Sequence, residues 1–293
     1  MDTDIYKHVR SGGHAFFEQK RGLIAVWGKE AVQFLDGLIT NDMKTLPDGG
    51  QMTAAFPNAQ GRLLAVVRVF RLGERYVIET EEATHEKVFQ NLFRFTFAGD
   101  FFVDDLSANY RYFTIFGRSF VPITPPFIEF DSVGGTDYFF ENEDAADLEA
   151  ELTNFDAVRV SEDVFEVLRI EHGIPKYSVD MDETTIVPEL GAAGMISYNK
   201  GCYIGQEMIA RIHFRGHIAK QLTGVVLTGE AAPGTELLST DGKNAGRITS
   251  VTFSPHLEKH IALGFVRYDY LAESTELRAS EVNAVVRHLP FVN

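Results

Sequence analysis

The chain has 293 residues, 45% of them hydrophobic and 24% charged, which is enough for more than one buried core and ordinary for a globular protein. A net charge of −15 excludes a broad nucleic-acid surface, which needs Lys and Arg in excess on one face, but leaves room for a local basic pocket that takes a small anion. The single cysteine, Cys202, excludes an internal disulfide, and no run approaches the ~20 apolar residues of a membrane-spanning helix.

The amino-terminal MDTDIYKHVRSGG has neither the basic start nor the apolar run of a secretory signal, so a reducing, cytoplasmic setting is expected. Leu23 to Val26 reads as a short buried strand. In GKEAVQFLDGLITND, Ala31, Phe34, Leu35 and Leu38 recur at helical spacing. Pro47 and Gly49-Gly50 mark a turn. Gln51 to Phe56 and Leu63 to Arg71 read as strands joined by Asn58-Ala59-Gln60-Gly61, a hairpin connection. Arg75 to Thr80 is a further strand, and Val88, Leu92 and Phe93 give a helix from Ala83 to Phe93.

Phe101 to Phe140 is strand-like and aromatic, with a loop or edge at Pro122, Pro125 and Pro126 and a turn at Gly134-Gly135. Glu141 to Asp156 holds many acids and no base, as a solvated helix face does. Ser161 is placed to cap a helix running through Val164, Val167, Leu168 and Glu171, with Gly173 at its C-cap and Pro175 beyond. Tyr177 to Ser197 is irregular, and KGCYIGQE, Lys200 to Glu207, opens a helix toward Arg211. After Gly216, short strands at Leu222–Thr228, Gly246–Ser254, Ile261–Tyr268 and Glu281–Val286 alternate with Gly, Pro and Asp turns, the texture of a small barrel or sandwich. The fold class is α+β, divided near residue 218 into an α+β region, 1–217, with an internal boundary around 105–155, and a β-barrel, 218–293.

Chemistry concentrates at Cys202. Lys200 two residues before it, and a helix start just after it, are features that stabilise a thiolate. Gly201 and Gly205 let backbone approach a ligand closely. A lone cysteine is also often a buried, inert thiol. One cysteine cannot hold a structural zinc or an iron–sulfur cluster by itself, so no metal site is assigned. His213 and His217 stand at i, i+4, but Gly216 lies between them and the base of an HExxH motif is missing. Ser119, Ser161 and Ser254 lack the surroundings of a nucleophile elbow. Glu171, late in its helix, opposes the helix dipole, so it is either a plain surface acid or a carboxylate for a donor-rich ligand such as a pterin.

KGCYIGQE resembles the K-G-C-Y-x-G-Q-E signature of the YgfZ family, folate-binding proteins that support iron–sulfur enzymes. Gly28 to Leu46 resembles a segment shared by that family and the T-protein, the aminomethyltransferase of the glycine cleavage system. Leu168 to Glu189 resembles their R-x-E-x-G-x-P segment, and Gly246 to Arg267 their carboxy-terminal barrel motif. The resemblance implies a three-lobed cloverleaf, two α+β lobes around a folate pocket plus a small C-terminal β-barrel, with Glu171 on the pterin. Two departures stand out. The region matching the T-protein's catalytic aspartate, Tyr76 to Gln90, offers Glu79, Glu81, Glu82 and Glu86 but no aspartate, and its D-D pair is replaced in Gln60 to Phe70 by apolar residues and Arg68. Gln60-Gly61-Arg62 stands where YgfZ proteins often read K-G-R, leaving Arg62 to meet an anion.

The expectation is a tetrahydrofolate-binding factor for assembly or repair of iron–sulfur clusters, its partners being folate and client enzymes or assembly proteins, with no membrane and no broad nucleic-acid surface. Cys202 is its candidate reactive thiol, with Lys200 lowering the thiol pKa. Glu171, Gly201, Gly205, Gln206, Glu207 and Arg211 are the candidate folate-site residues. Three alternatives stand beside it. One is an aminomethyltransferase-like one-carbon transfer enzyme, for which Glu86 is the local acid. Another is a cysteine-nucleophile hydrolase with His213 or His172 as base. The third is a folate-sensing scaffold in which Cys202 is idle.

Overall fold

The computed structural model describes residues 1–117, 126–132 and 134–292. Ser119, Pro122 and Pro125 lie outside the described residues. The chain forms two compact units, one from Asp2–Ser161 and Ala193–Glu207, the other from Met1, Glu162–Ala192 and Met208–Asn293.

The first unit holds helix α1 (Thr3–Arg10), strands β1 (Ala15–Gln19) and β2 (Arg21–Trp27), and helix α2 (Ala31–Asp36). The hairpin β3 (Gln51–Pro57) and β4 (Leu63–Leu72) follows, then β5 (Arg75–Glu81) and helix α3 (Glu82–Phe93). Next come β6 (Phe102–Asp105), β7 (Tyr110–Phe116), β8 (Ile128–Ser132), β9 (Gly135–Glu141), helix α4 (Ala145–Asn154) and the short β10 (Val158–Arg159). One sheet has the order β3-β4-β5-β2-β6 and is antiparallel throughout. The other, β10-β1-β7-β9-β8, is mixed because β10 runs parallel to β1.

Period-two alternation sets the layers. On β4, Ala65, Val67 and Val69 point into a core shared with Ala31 and Leu35 of α2 and with Val88 and Leu92 of α3. The opposite face of that sheet, through Leu23, Phe70 and Val77, packs on Tyr112, Ile128, Phe130 and Phe139 of the second sheet. The far face of the second sheet covers Ala145, Leu148 and Leu152 of α4 with Phe113, Ile115 and Phe140. The acidic stretch is thus an amphipathic helix with acids outward. Helix α2 stops at Asp36, shorter than its apolar spacing indicates, so Leu38 lies in the turn that follows.

The second unit begins with α5 (Glu162–Glu171), directly after Ser161. Gly173, at φ +70°, ends it where a residue with a side chain would be strained. Helix α6 (Gln206–Arg215) opens in the first unit with Gln206 and Glu207 and runs on in the second. Six strands then close into a barrel in the order β11 (Lys220–Leu227), β14 (Lys259–Arg267), β13 (Asn244–Ser254), β12 (Glu236–Ser239), β15 (Glu276–Ala279) and β16 (Val282–Arg287). β11 pairs with both β14 and β16, which removes the free edges that a sandwich would keep. The sequence pattern misses β12 and β15, each too short, at four residues, to show an alternation.

The fold is therefore an α+β structure with a small closed C-terminal barrel, the class that the sequence indicates.

Candidate functional site

The loop Lys200–Gly205 lies in the first unit and is strapped to the turn that leaves α2. Ile204 N–H donates to Gly37 O, and Ser197 N–H to Thr40 O, 2.9 Å away. The Thr40 hydroxyl donates to Met195 O and accepts from Ala55 N–H. Asn41 uses its amide on Thr53 O and Gly194 O.

Lys200 is the deepest of these attachments. Its side chain is 0% exposed. The ammonium donates to the carbonyls of Asp36 (2.7 Å), Ile39 (3.0 Å) and Asn41 (2.6 Å), and the Asp36 carboxylate stands 3.0 Å away. Asp36 O is the last carbonyl of α2, which has no intrahelical partner, and the other two belong to the turn that follows. Burial pulls the Lys200 pKa below its ordinary value, with Asp36 opposing. Tyr203 is buried, and the burial, reinforced by Tyr198, pushes its phenol up to about 12. Between these two anchored side chains Cys202 is exposed, which removes the buried-thiol alternative.

The two glycines differ. Gly205 has φ +82°, and a Cβ there would overlap the Asn58 carbonyl oxygen of the β3–β4 turn, so only glycine fits. A Cβ on Gly201 would meet open space. In the turn itself Asn58 accepts from the N–H groups of Gln60 and Arg62, and Arg62 is exposed. Gln206 is half-buried and Glu207 exposed at the start of α6.

Between the two sheets of the first unit lies a polar cluster that sequence reasoning only grazed. Glu79, 1% exposed, accepts from Arg21 and, at 2.8 Å, from Arg68. Arg68 also donates to Asp137 and to the Tyr112 hydroxyl, and Thr114 donates to the other Asp137 oxygen. Burial alone would raise the Glu79 pKa, but the two guanidiniums outweigh it and hold the carboxyl below its ordinary 4.5. Of the other acids in that region, Glu86 accepts from the Gln90 amide and Glu82 lies 3.7 Å from Lys20, both on the exposed side of α3.

In the second unit Glu171 is 0% exposed and accepts from the Ser254 hydroxyl, so it is not a surface acid. Two residues earlier on α5, Arg169 forks onto both oxygens of Glu166 and reaches Asp180 and Ser250, and Asp180 accepts from Thr249 and Ser250 as well. Arg211 is exposed on α6. Helix α6 ends at Arg215, so His217 lies beyond it, against the Tyr268 ring, and does not form a helical pair with His213. Among the described residues no group of three His, Cys, Asp or Glu is placed to hold a metal ion, and no helix is long and apolar enough to cross a membrane.

The structure thus gathers Lys200, Gly201, Cys202 and Gly205 on one anchored loop of the first unit and puts Glu171 and Arg211 in the second. Sequence reasoning missed Asp36, Asn41, Asp137 and Asp180, and weighed Ser254 only as a nucleophile, not as the partner of Glu171. Asp36 and Lys200 are 164 positions apart, and no local pattern announces such a pair.

Residues 220–293 match the family model described as the glycine cleavage T-protein C-terminal barrel domain. The crystal structure of glycine cleavage system aminomethyltransferase T from Bartonella henselae superposes with a TM-score of 0.86 over 98% of this chain and 89% of that one, at 20% identity, a likeness of fold alone. An aminomethyltransferase of Pseudothermotoga lettingae is 26% identical over 99% of this chain and 89% of its own length. An iron-sulfur cluster assembly factor IBA57 homolog, mitochondrial, of Mycosarcoma maydis is 25% identical over 69% of this chain and 54% of its own.

Proposed function

We propose that this chain, which carries the aminomethyltransferase-like fold, is a tetrahydrofolate-binding factor that supports assembly or repair of iron–sulfur clusters in client enzymes, as YgfZ-type proteins do. The observation that carries this reading is the exposed thiol of Cys202 between the buried, anchored side chains of Lys200 and Tyr203. A thiol held outward on a fixed loop meets a partner without the ordering cost that a mobile loop adds. The similarity to an iron–sulfur cluster assembly factor points the same way.

Glu171 is chemically suited to a pterin. A carboxylate can accept several hydrogen bonds at once, Glu171 accepts one from Ser254, and a dry site strengthens charge-assisted hydrogen bonds to paired N–H donors. Gly205, Gln206 and Glu207 shape the start of α6, and exposed Arg211 supplies a cation for the anionic tail of a folate. Bound tetrahydrofolate would supply a reduced pterin. This chain's residues would orient that pterin and present the thiol.

The first test is anaerobic calorimetry with tetrahydrofolate. Wild type binds, and Glu171→Gln, which keeps a partner for Ser254 but presents only one acceptor oxygen, loses about tenfold or more in affinity. No binding by wild type would remove the folate half of the proposal. Restoration of client-enzyme activity by wild type but not by Cys202→Ala tests the other half, and equal restoration would favour a scaffold with an idle cysteine.

One-carbon transfer is the second reading, favoured by near full-length similarity to aminomethyltransferases. It needs an acid at the folate amine. Glu79 is occupied by Arg21 and Arg68, and of the acids that follow it, Glu81, Glu82 and Glu86, the last is the candidate to test. One-carbon transfer by wild type that Glu86→Gln abolishes would establish it.

A further inference from the structure

Lys200 is a buried cation whose hydrogen-bonding capacity can be fully accounted for. An ammonium has three N–H bonds. Here three carbonyls of one turn receive them at 2.6–3.0 Å, and a carboxylate of the same turn balances the charge. The other charges acting on it, Asp42 and Lys44, belong to that turn too. The Tyr203 ring lies 5.1 Å from Nζ, so the same cation also steadies the residue after Cys202. A lysine set beside a cysteine to lower its pKa would aim its N–H groups at sulfur, and here they are directed at the peptide oxygens and the Asp36 carboxylate of the turn.

We propose that Lys200 is a positioning residue. It caps the end of α2 from a distant part of the chain and so fixes the loop that presents Cys202, and it does not activate the thiol by charge. This rests on the reading that Cys202 is the working residue and narrows the role of its neighbour.

Two measurements on full-length wild type and Lys200→Met test it. Hydrogen exchange should speed up at the amides of Gly37, Thr40 and Ile204 by about tenfold or more in Lys200→Met, since three anchoring hydrogen bonds are lost. The rate of Cys202 alkylation by a bulky maleimide, followed against pH, should keep its midpoint while its high-pH plateau rises about threefold as the loop loosens. A midpoint that moves up by about one unit would overturn the proposal and make Lys200 an electrostatic activator. Unchanged exchange and an unchanged plateau would overturn it equally. If Lys200→Met does not fold, Asp36→Asn removes the balancing charge yet keeps an acceptor for Met43 N–H, and the same pattern at smaller amplitude is expected. None of these readouts uses client activity, so Cys202→Ala restoring clients would retire the functional reading and leave the anchoring result standing.

Discussion

At the scale of single residues, two glycines four positions apart make opposite demands. Gly205 sits at φ +82° against the Asn58 carbonyl, so Gly205→Ala should cost about 1–3 kcal/mol in urea unfolding, through backbone strain and a displaced turn. Gly201→Ala, facing open space, should stay within about 0.5 kcal/mol of wild type. Equal costs would mean that the loop is not held where it stands. The sequence shows both as glycines flanking a cysteine and cannot rank them, because the difference lies in what a distant hairpin turn puts against one of them. Cys202 follows the same logic. Its type and neighbours are readable in KGCYIGQE, but its exposure depends on which neighbours are buried.

At the scale of elements, the Arg21–Glu79–Arg68–Asp137 cluster ties β2, β4 and β5 of one sheet to β7 and β9 of the other. The carboxyl of Glu79 is held below its ordinary value in the fold, so the unfolded chain binds its proton first as pH falls. The stabilisation from this group is therefore present above about pH 4.5 and lost as pH drops through the depressed value. Glu79→Gln should lose about 3–5 kcal/mol at pH 7, because Arg21 then loses its hydrogen-bonded carboxylate while Arg68 keeps only Asp137, and should flatten the acid limb of stability against pH. An unchanged acid limb would show that other carboxylates govern it. Strand alternation in β4 marks Arg68 as the odd residue on its face, yet its partners Asp137 and Tyr112 follow by 69 and 44 positions, so the cluster is legible only once the sheets are stacked.

At the scale of the whole molecule, a net charge of −15 predicts self-repulsion that salt screens. The melting temperature should rise between about 0.02 M and about 0.3 M NaCl, and a fall would mean that exposed ion pairs such as Lys20–Glu82 and Lys29–Asp100 outweigh the net charge. Length, charge, the lone cysteine and the order of strands and helices are properties of the chain as written. They are local or additive, so the sequence by itself determined the α+β class, the barrel at the C-terminal end and the segment that holds the candidate thiol. Tertiary structure decided which polar groups are buried and against what. It turned Lys200 from a neighbour of Cys202 into an anchor on α2, sank Glu171 against Ser254, and neutralised Glu79 between two arginines. The physical reason is the same in each case: a buried charge must find its partners wherever the fold brings them, and separation along the chain carries no record of that choice.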